Sequence, residues 1–167
     1  MFTTVASASR RLEIEIANTM KIFEAIPETA KNQPVADGHR TLIRLAWHIV
    51  TTIPEMMNRA GLGVSSVEWE APVPESMVAV TEAYGTVTAE MMESLTANWT
   101  DETLSVVDDM YGEKWARGET LLVLILHEVH HRAQMTVLMR QAGVIVPGIY
   151  GPSKEEWINY GAPVPEI

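Results

Sequence analysis

The 167-residue chain contains no cysteine and no long apolar run. Without cysteine there are no disulfides, thiolate ligands or cysteine nucleophile, so any metal must be held by His, Asp or Glu. No apolar stretch approaches the roughly 18 residues of a membrane-spanning helix, and the N-terminus lacks the basic-then-apolar order of a signal peptide. We therefore expect a cytoplasmic protein with no membrane partner.

Basic residues are also scarce, with 12 Lys and Arg against 22 Asp and Glu and a formal charge of -10. Such a field repels phosphate backbones, which argues against a nucleic-acid partner. The length is typical of one domain with a real core, so we expect a single domain over residues 1–167. Because 47% apolar and 20% charged residues is ordinary for a globular protein, the fold must come from pattern.

Apolar residues recur at intervals of three or four in four segments, which predicts four amphipathic helices. The first stripe ends before Pro27, the second helix should run from about His39 to Ala60, and the third should start near Pro74 and Glu75. The fourth is Thr120–Gln141. Apolar residues that define the first three stripes are Val5, Ala8, Leu12, Ile16, Met20 and Phe23; Leu42, Leu45, Ile49, Ile53 and Met56; and Met77, Val80, Tyr84, Val87, Met91 and Leu95.

The segments between these helices are long and rich in turn residues. Residues 100–118 fit either a short helix or a short extended stretch, while Ser153 and Glu156 resemble a capping box that starts a short terminal helix. We interpret Trp69 as a plug over one end of the core and Gly85 as compatible with a close helix approach. The prediction is an all-α fold, a four-helix bundle with a short C-terminal helix and with connections long enough to permit crossovers.

The fourth helix carries three of the five histidines, His127, His130 and His131, within five residues. On a helix His127 and His131 lie about 40° apart and roughly 6 Å along the axis, so they can chelate one ion. His130 lies about 60° from His127 on the other side and is the weaker candidate. Imidazole nitrogens suit Zn²⁺ or a similar divalent metal.

A catalytic zinc site usually has three protein ligands and an open position, so the pair needs a partner. His48 is the best candidate, because it lies beside the apolar stripe of the second helix. We expect His39, at a polar helix start, to be solvated. Gln134 could line the same pocket, whereas Glu128 and Arg132 should point elsewhere, orienting a ligand or tying the helix to its neighbours.

Residues 127–131, HEVHH, also fit the H-E-x-x-H signature of zinc proteases. The metzincin extension requires Gly and His farther along, where Gln134 and Val137 stand. A gluzincin needs a Glu on another helix downstream, but Glu155 and Glu156 follow a Pro- and Gly-rich loop. The protease interpretation is therefore secondary.

The pattern resembles the DinB/YfiT-like superfamily of metal-binding four-helix bundles. In that family one histidine comes from the second helix and an H-x-x-x-H pair from the fourth, which match His48 in RLAWHIV and His127 and His131 in HEVHHRAQ. The likeness extends to WARGET before the fourth helix and to RQAG and PGIYGP after it. It covers roughly Arg40 to Trp157, and the additional His130 leaves open which side chain completes the triad.

The resemblance implies a Zn²⁺ or Ni²⁺ site, frequent homodimers and, as in a few relatives, metal-dependent transfer of thiols such as bacillithiol or mycothiol onto electrophiles. Three neutral imidazoles would leave the metal its full charge, so a thiol or water in an open position should lose its proton near neutral pH. The expected partners are a small-molecule thiol, an electrophilic substrate or both. A metal-dependent hydrolase and a non-catalytic metal-stabilised stress or binding module are the alternatives.

Overall fold

The computed structural model describes residues 1–164 and 166 and is dominated by four long helices. Between the third and fourth helices lie a short 3-10 helix, Glu102–Ser105, and a two-stranded hairpin, and a second 3-10 helix, Lys154–Tyr160, lies near the C-terminus. The long elements are α1 (Val5–Glu24), α2 (Leu42–Arg59), α3 (Met77–Asn98) and α4 (Arg117–Gln141), and the strands are β1 (Val107–Met110) and β2 (Glu113–Ala116). The predicted all-α helical bundle is confirmed, with the hairpin as an addition.

Local capping determines where the first three helices begin. Thr4, Thr41 and Ser76 each accept a hydrogen bond from the backbone N–H three residues later, which satisfies a donor that the helix leaves free. Because Thr41 is the cap, α2 starts at Leu42 and not near His39 as predicted. Similarly, Ser76 moves the start of α3 beyond Pro74. The capping side chains Thr41 and Ser76 therefore mark the starts of α2 and α3 better than Pro74 does.

Each long helix has its main contacts with two others: α1 with α3 and α4, and α2 with the same pair. Consecutive helices α1 and α2 therefore lie across the bundle from each other, as do α3 and α4. The long connections from α1 to α2 and from α3 to α4 span these diagonals, whereas the connection from α2 to α3 joins neighbouring helices. As a result α2 and α4, which carry the histidines, are neighbours.

In the connection between α2 and α3, the prediction for Trp69 is wrong. Trp69 is 58% exposed, so it does not plug the core. The buried Trp47 holds this loop instead, because its indole N–H donates to the carbonyl of Ala71 at 2.8 Å. Asn58 fixes the loop's start by accepting from the N–H and donating to the carbonyl of Val64, both at 2.7 Å.

Two smaller predictions fall in the C-terminal half. Residues 102–116 form both a short helix and an extended segment, since strands β1 and β2 pair antiparallel from Val107↔Ala116 to Met110↔Glu113. Ser153 and Glu156 form the predicted capping box, although the helix that follows is of the 3-10 type. No helix within residues 1–164 is both long and apolar enough to cross a lipid bilayer.

Candidate metal centre

His48 reaches the boundary between α2 and α4 from the edge of the buried face of α2. Its neighbours Leu45 and Ile49 are buried, whereas His48 itself is half-buried. The hydroxyl of Thr52 donates to the His48 carbonyl at 2.7 Å, one turn farther along the helix. The backbone at this position is therefore fixed within a well-packed helix.

His127 and His131 lie one turn apart on α4 and face His48. Their ring centroids are 4.4 Å apart. The ring centroid of His48 lies 5.0 Å from that of His127 and 4.7 Å from that of His131. The Nε2 atoms of His127 and His131 are separated by 3.1 Å. Thus the structure brings together all three histidines that the sequence singled out.

This geometry suits a divalent ion. One ligand nitrogen from each of the three rings lies within 4.8 Å of the others. Tetrahedral coordination with bonds of 2.0–2.1 Å places neighbouring nitrogens about 3.3 Å apart, so the pair on α4 is already near that spacing. An all-imidazole donor set favours Zn²⁺, Ni²⁺ and similar metals over Mg²⁺ or Ca²⁺. The group could therefore hold a metal ion.

Electrostatics keep these rings neutral and ready to bind. Burial lowers the pKa of His48 and of His127 to about 4, and it also lowers that of His131. The positive charge of Arg40 adds to the effect on all three rings. Because a metal competes with protons for the same nitrogen, a low pKa leaves the lone pairs available at neutral pH.

Two other polar side chains of α4 accompany the triad. Oε1 of Gln134 lies 2.9 Å from Nδ1 of His131, which confirms that Gln134 lies beside the site. Its amide nitrogen lies 3.1 Å from Nε2 of the exposed His130. His130 therefore contacts Gln134 and is not a member of the three-nitrogen group. His39 is exposed, as expected.

Glu128 points away from the histidines, which weakens the protease interpretation. It is 3% exposed and lies among α1 and α3, where its Oε1 accepts from Thr19 at 2.5 Å and from Tyr84 at 2.6 Å. Burial raises its pKa, and the two hydrogen bonds offset only part of that effect. A zincin general base must face the metal. The Glu128 carboxyl instead joins α4 to α1 and α3 through Thr19 and Tyr84.

Arg132 also points into the bundle, where it joins α4 to α1 and to the C-terminal segment. Its guanidinium donates to Glu15 at 2.5 Å, to Thr19 at 2.9 Å and to the hydroxyl of Tyr150 at 2.6 Å. Burial alone would raise the pKa of Glu15, but hydrogen bonds from Tyr150 and Arg132 lower it. Arg132 therefore ties the helix to its neighbours, as the helical wheel indicated.

Charged side chains around the triad influence the rings in a way that was not predicted from sequence. Arg40 and Arg44 both lower the pKa of His48, while Glu55 acts in the opposite sense on His127. Glu55 follows His48 by two turns on the same face of α2 and accepts from Tyr111 at 2.5 Å. The seven-residue spacing between His48 and Glu55 is the sequence feature from which Glu55 could have been predicted to lie on the same face of α2.

The whole chain matches known proteins of one family. The model of the DinB family matches residues 1–163. The uncharacterized protein YrdA of Bacillus subtilis (strain 168) is 36% identical over 167 residues, covering 100% of both chains.

Solved structures agree with that match. A DinB-like protein from Bacillus cereus ATCC 10987 is 38% identical, with a TM-score of 0.86 over 90% of this chain and 100% of its own. The DinB-like protein YjoA of Bacillus subtilis, at 19% identity and a TM-score of 0.69 over 88% of this chain and 99% of its own, shares the fold. A helical bundle with a three-histidine group that could hold a metal, matched over nearly its full length, places this chain in the DinB family.

Proposed function

We propose that His48, His127 and His131 bind one divalent ion, Zn²⁺ or Ni²⁺, and that the protein transfers an external thiol onto an electrophile. The observation that carries the proposal is the convergence of three ligand nitrogens from two neighbouring helices within 4.8 Å. Three side chains leave room for an exogenous ligand in four-coordinate geometry. Held by neutral nitrogens, the ion would act as a Lewis acid toward a thiol or water.

Transfer, and not hydrolysis by a zincin mechanism, fits the groups around the triad. The glutamate of the H-E-x-x-H sequence, Glu128, is committed to Thr19 and Tyr84. The positive charges of Arg40 and Arg44 favour an anionic ligand such as a thiolate near His48. In the reaction a sulfur–carbon bond forms, the leaving group departs with its bonding electrons, and the thiol proton passes to solvent.

The thiol must come from a second molecule, because the chain contains no cysteine. We include bacillithiol, mycothiol and glutathione as candidate thiols, and a cytoplasmic location where such thiols remain reduced.

We also propose that the protein forms a homodimer. Analytical ultracentrifugation tests it directly, since sedimentation as an 18.5 kDa monomer at micromolar concentration would contradict it.

The decisive test starts from metal content. Purified protein is loaded with Zn²⁺ or Ni²⁺, and bound metal is measured by elemental analysis after desalting. We expect one ion per chain, and loss of stoichiometric metal in the separate variants His48→Ala, His127→Ala and His131→Ala. The matched control is His39→Ala, which removes an exposed histidine. Retention of the ion by all three triad variants would refute the site.

Activity is then measured with each thiol and an alkylating electrophile such as monochlorobimane, using mass spectrometry to detect the conjugate. We expect a conjugate that requires both the protein and its metal and that disappears in His48→Ala. Product release from ester or amide substrates without added thiol would instead identify a hydrolase. Bound metal with neither activity would support a non-catalytic module.

A further inference from the structure

Two polar residues beside the proposed ligands have no role in the metal site described so far. Gln134 and His130 lie on the exposed side of α4, one turn apart, and neither belongs to the three-nitrogen group. They are nevertheless linked to the triad by a continuous series of contacts. Gln134 Oε1 lies 2.9 Å from His131 Nδ1, and Gln134 Nε2 lies 3.1 Å from His130 Nε2.

We propose, on the basis of the metal centre inferred above, that Gln134 is a positioning residue that holds His131 in the tautomer able to bind metal, and that His130 orients Gln134. An amide oxygen can only accept a hydrogen bond, so the His131 nitrogen that faces it must carry the proton. A neutral imidazole has one proton, which leaves Nε2 of His131 with a free lone pair.

The free lone pair on Nε2 of His131 lies where the three proposed ligands meet. Nε2 of His131 lies 3.1 Å from Nε2 of His127, on the side where the three rings converge. Two neutral rings at this distance need one donor and one acceptor, and the contact with Gln134 makes His131 the acceptor. Metal-ligating histidines commonly donate their other N–H to such a partner, which fixes both the tautomer and the ring plane.

His130 explains why the amide has this orientation. An amide NH₂ can only donate, so its contact requires an unprotonated Nε2 on His130. Reversing the Gln134 amide would put its oxygen against His130 and its NH₂ against His131, and the proton of His131 would then lie on Nε2. His130 is thus the far end of a hydrogen-bond chain that selects the productive orientation.

The test compares Gln134→Leu, which removes both contacts, with Gln134→Glu, which retains an acceptor for His131. Gln141→Leu is the matched control, because Gln141 is also an exposed glutamine of α4. One readout is the dissociation constant for Zn²⁺, measured by competition with a chromophoric chelator. A second is the tautomer of His131 in the metal-free protein, measured by NMR of ¹⁵N-histidine-labelled samples.

We expect Gln134→Leu to weaken Zn²⁺ binding by about 10- to 100-fold, the usual effect of losing such an outer partner. Gln134→Glu should remain within a few-fold of the wild type, and Gln141→Leu should not differ from it. His131 should be the Nδ1–H tautomer in the wild-type protein and a mixture of tautomers in Gln134→Leu. The urea midpoint of the metal-free protein should stay the same, since Gln134 is exposed.

His130→Ala extends the test to the end of the chain. We expect a smaller loss of affinity than in Gln134→Leu, and no further loss when the two changes are combined, because His130 acts only through Gln134. Additive losses would overturn the role of His130. Wild-type affinity in Gln134→Leu, or a His131 proton on Nε2 in the wild-type metal-free protein, would overturn the role of Gln134.

The two proposals can fail separately. If the wild-type chain takes up no zinc, the metal centre fails, while the metal-free tautomer of His131 still decides whether Gln134 positions the ring. If zinc binds stoichiometrically but Gln134→Leu leaves both readouts unchanged, the metal centre stands and the positioning role is refuted.

Discussion

The hydroxyl of Tyr84 donates a 2.6 Å hydrogen bond to Glu128 inside the bundle, on the side of α4 that faces away from the histidines. Glu128 immediately follows His127, so adjacent residues serve two different regions of the molecule. One helix therefore carries the candidate metal site on one face and a buried hydrogen-bond network on another.

Substituting Glu128 separates these two regions. Glu128→Gln keeps an acceptor for Thr19 and Tyr84, so we expect unchanged zinc stoichiometry and a loss of at most about 1 kcal/mol of unfolding free energy. Glu128→Leu leaves two buried hydroxyls without this acceptor and should cost about 1–3 kcal/mol for each one that finds no other partner. Urea unfolding and elemental analysis measure both effects, with the exposed Glu119→Leu as control. Loss of metal in Glu128→Gln would show instead that the buried network and the candidate metal site are coupled.

Breaking the buried ion pair between Arg132 and Glu15 should destabilise the protein far more than breaking a surface ion pair. The Arg132 side chain is 3% exposed and that of Glu15 0%, whereas Arg140 and Glu155 pair at 2.6 Å with 41% and 36% exposed. Arg132→Met leaves a buried carboxylate with fewer donors, and we expect it to lower the unfolding free energy by about 3–5 kcal/mol. Arg140→Met should cost about 0–1 kcal/mol. Equal effects in denaturant titrations would contradict this ranking.

The main features of the bundle were accessible from sequence because they depend on local periodicity. The apolar stripes predict the four helices, and two histidines one turn apart predict a chelating face. The hairpin was harder, since its strands have four residues each and turn at Tyr111, which has a positive φ of 61° that few non-glycine residues adopt.

The surroundings of the site depend on long-range placement. That Glu128 meets Tyr84 and Thr19 follows from how α4 docks on α1 and α3, and no helical wheel identifies those partners. The hydrogen bonds of Gln134 likewise depend on side-chain rotamers. Consequently His127 and His131 could be predicted as candidate ligands from their spacing, and His48 from its place beside an apolar stripe. The groups that orient and support them required coordinates.

Two helical glycines should respond oppositely to alanine. A Cβ on Gly118 would lie 2.1 Å from the carbonyl oxygen of Phe2, whose N–H donates to the Gly118 carbonyl at 3.0 Å. This contact anchors the N-terminal segment to α4, so Gly118→Ala must displace backbone and should cost about 1–3 kcal/mol.

Gly85 provides the matched control. A Cβ there would meet only the terminal methyl of Met20 at 3.6 Å, an ordinary contact, so the close helix approach considered from sequence is not needed. Gly85→Ala should stabilise the protein by about 0.5–1 kcal/mol through helix propensity. Thermal or urea unfolding compares the two variants, and destabilisation by Gly85→Ala would show that α1 and α3 lie closer than this spacing.

The metal-free protein should lose stability as the pH falls from about 6.5 to about 4. Burial lowers the pKa of His48 and His127 to about 4 in the folded chain, while both return to about 6.5 on unfolding. Within that window the unfolded state binds more protons, so the free energy of unfolding decreases with decreasing pH. At about one pH unit or more above 6.5 the rings are neutral in both states, and their contribution is constant.

Comparing variants isolates this contribution from that of the carboxylates. His48→Leu removes one of the two rings, so the wild-type minus variant difference in unfolding free energy should shrink as the pH falls from 6.5 to 4. His39→Leu, which alters an exposed ring outside the triad, is the matched control. Chemical denaturation at several pH values in the presence of a chelator provides the measurement. A difference for His48→Leu that stays constant over the window would mean that the ring already titrates in the folded protein as it does in water.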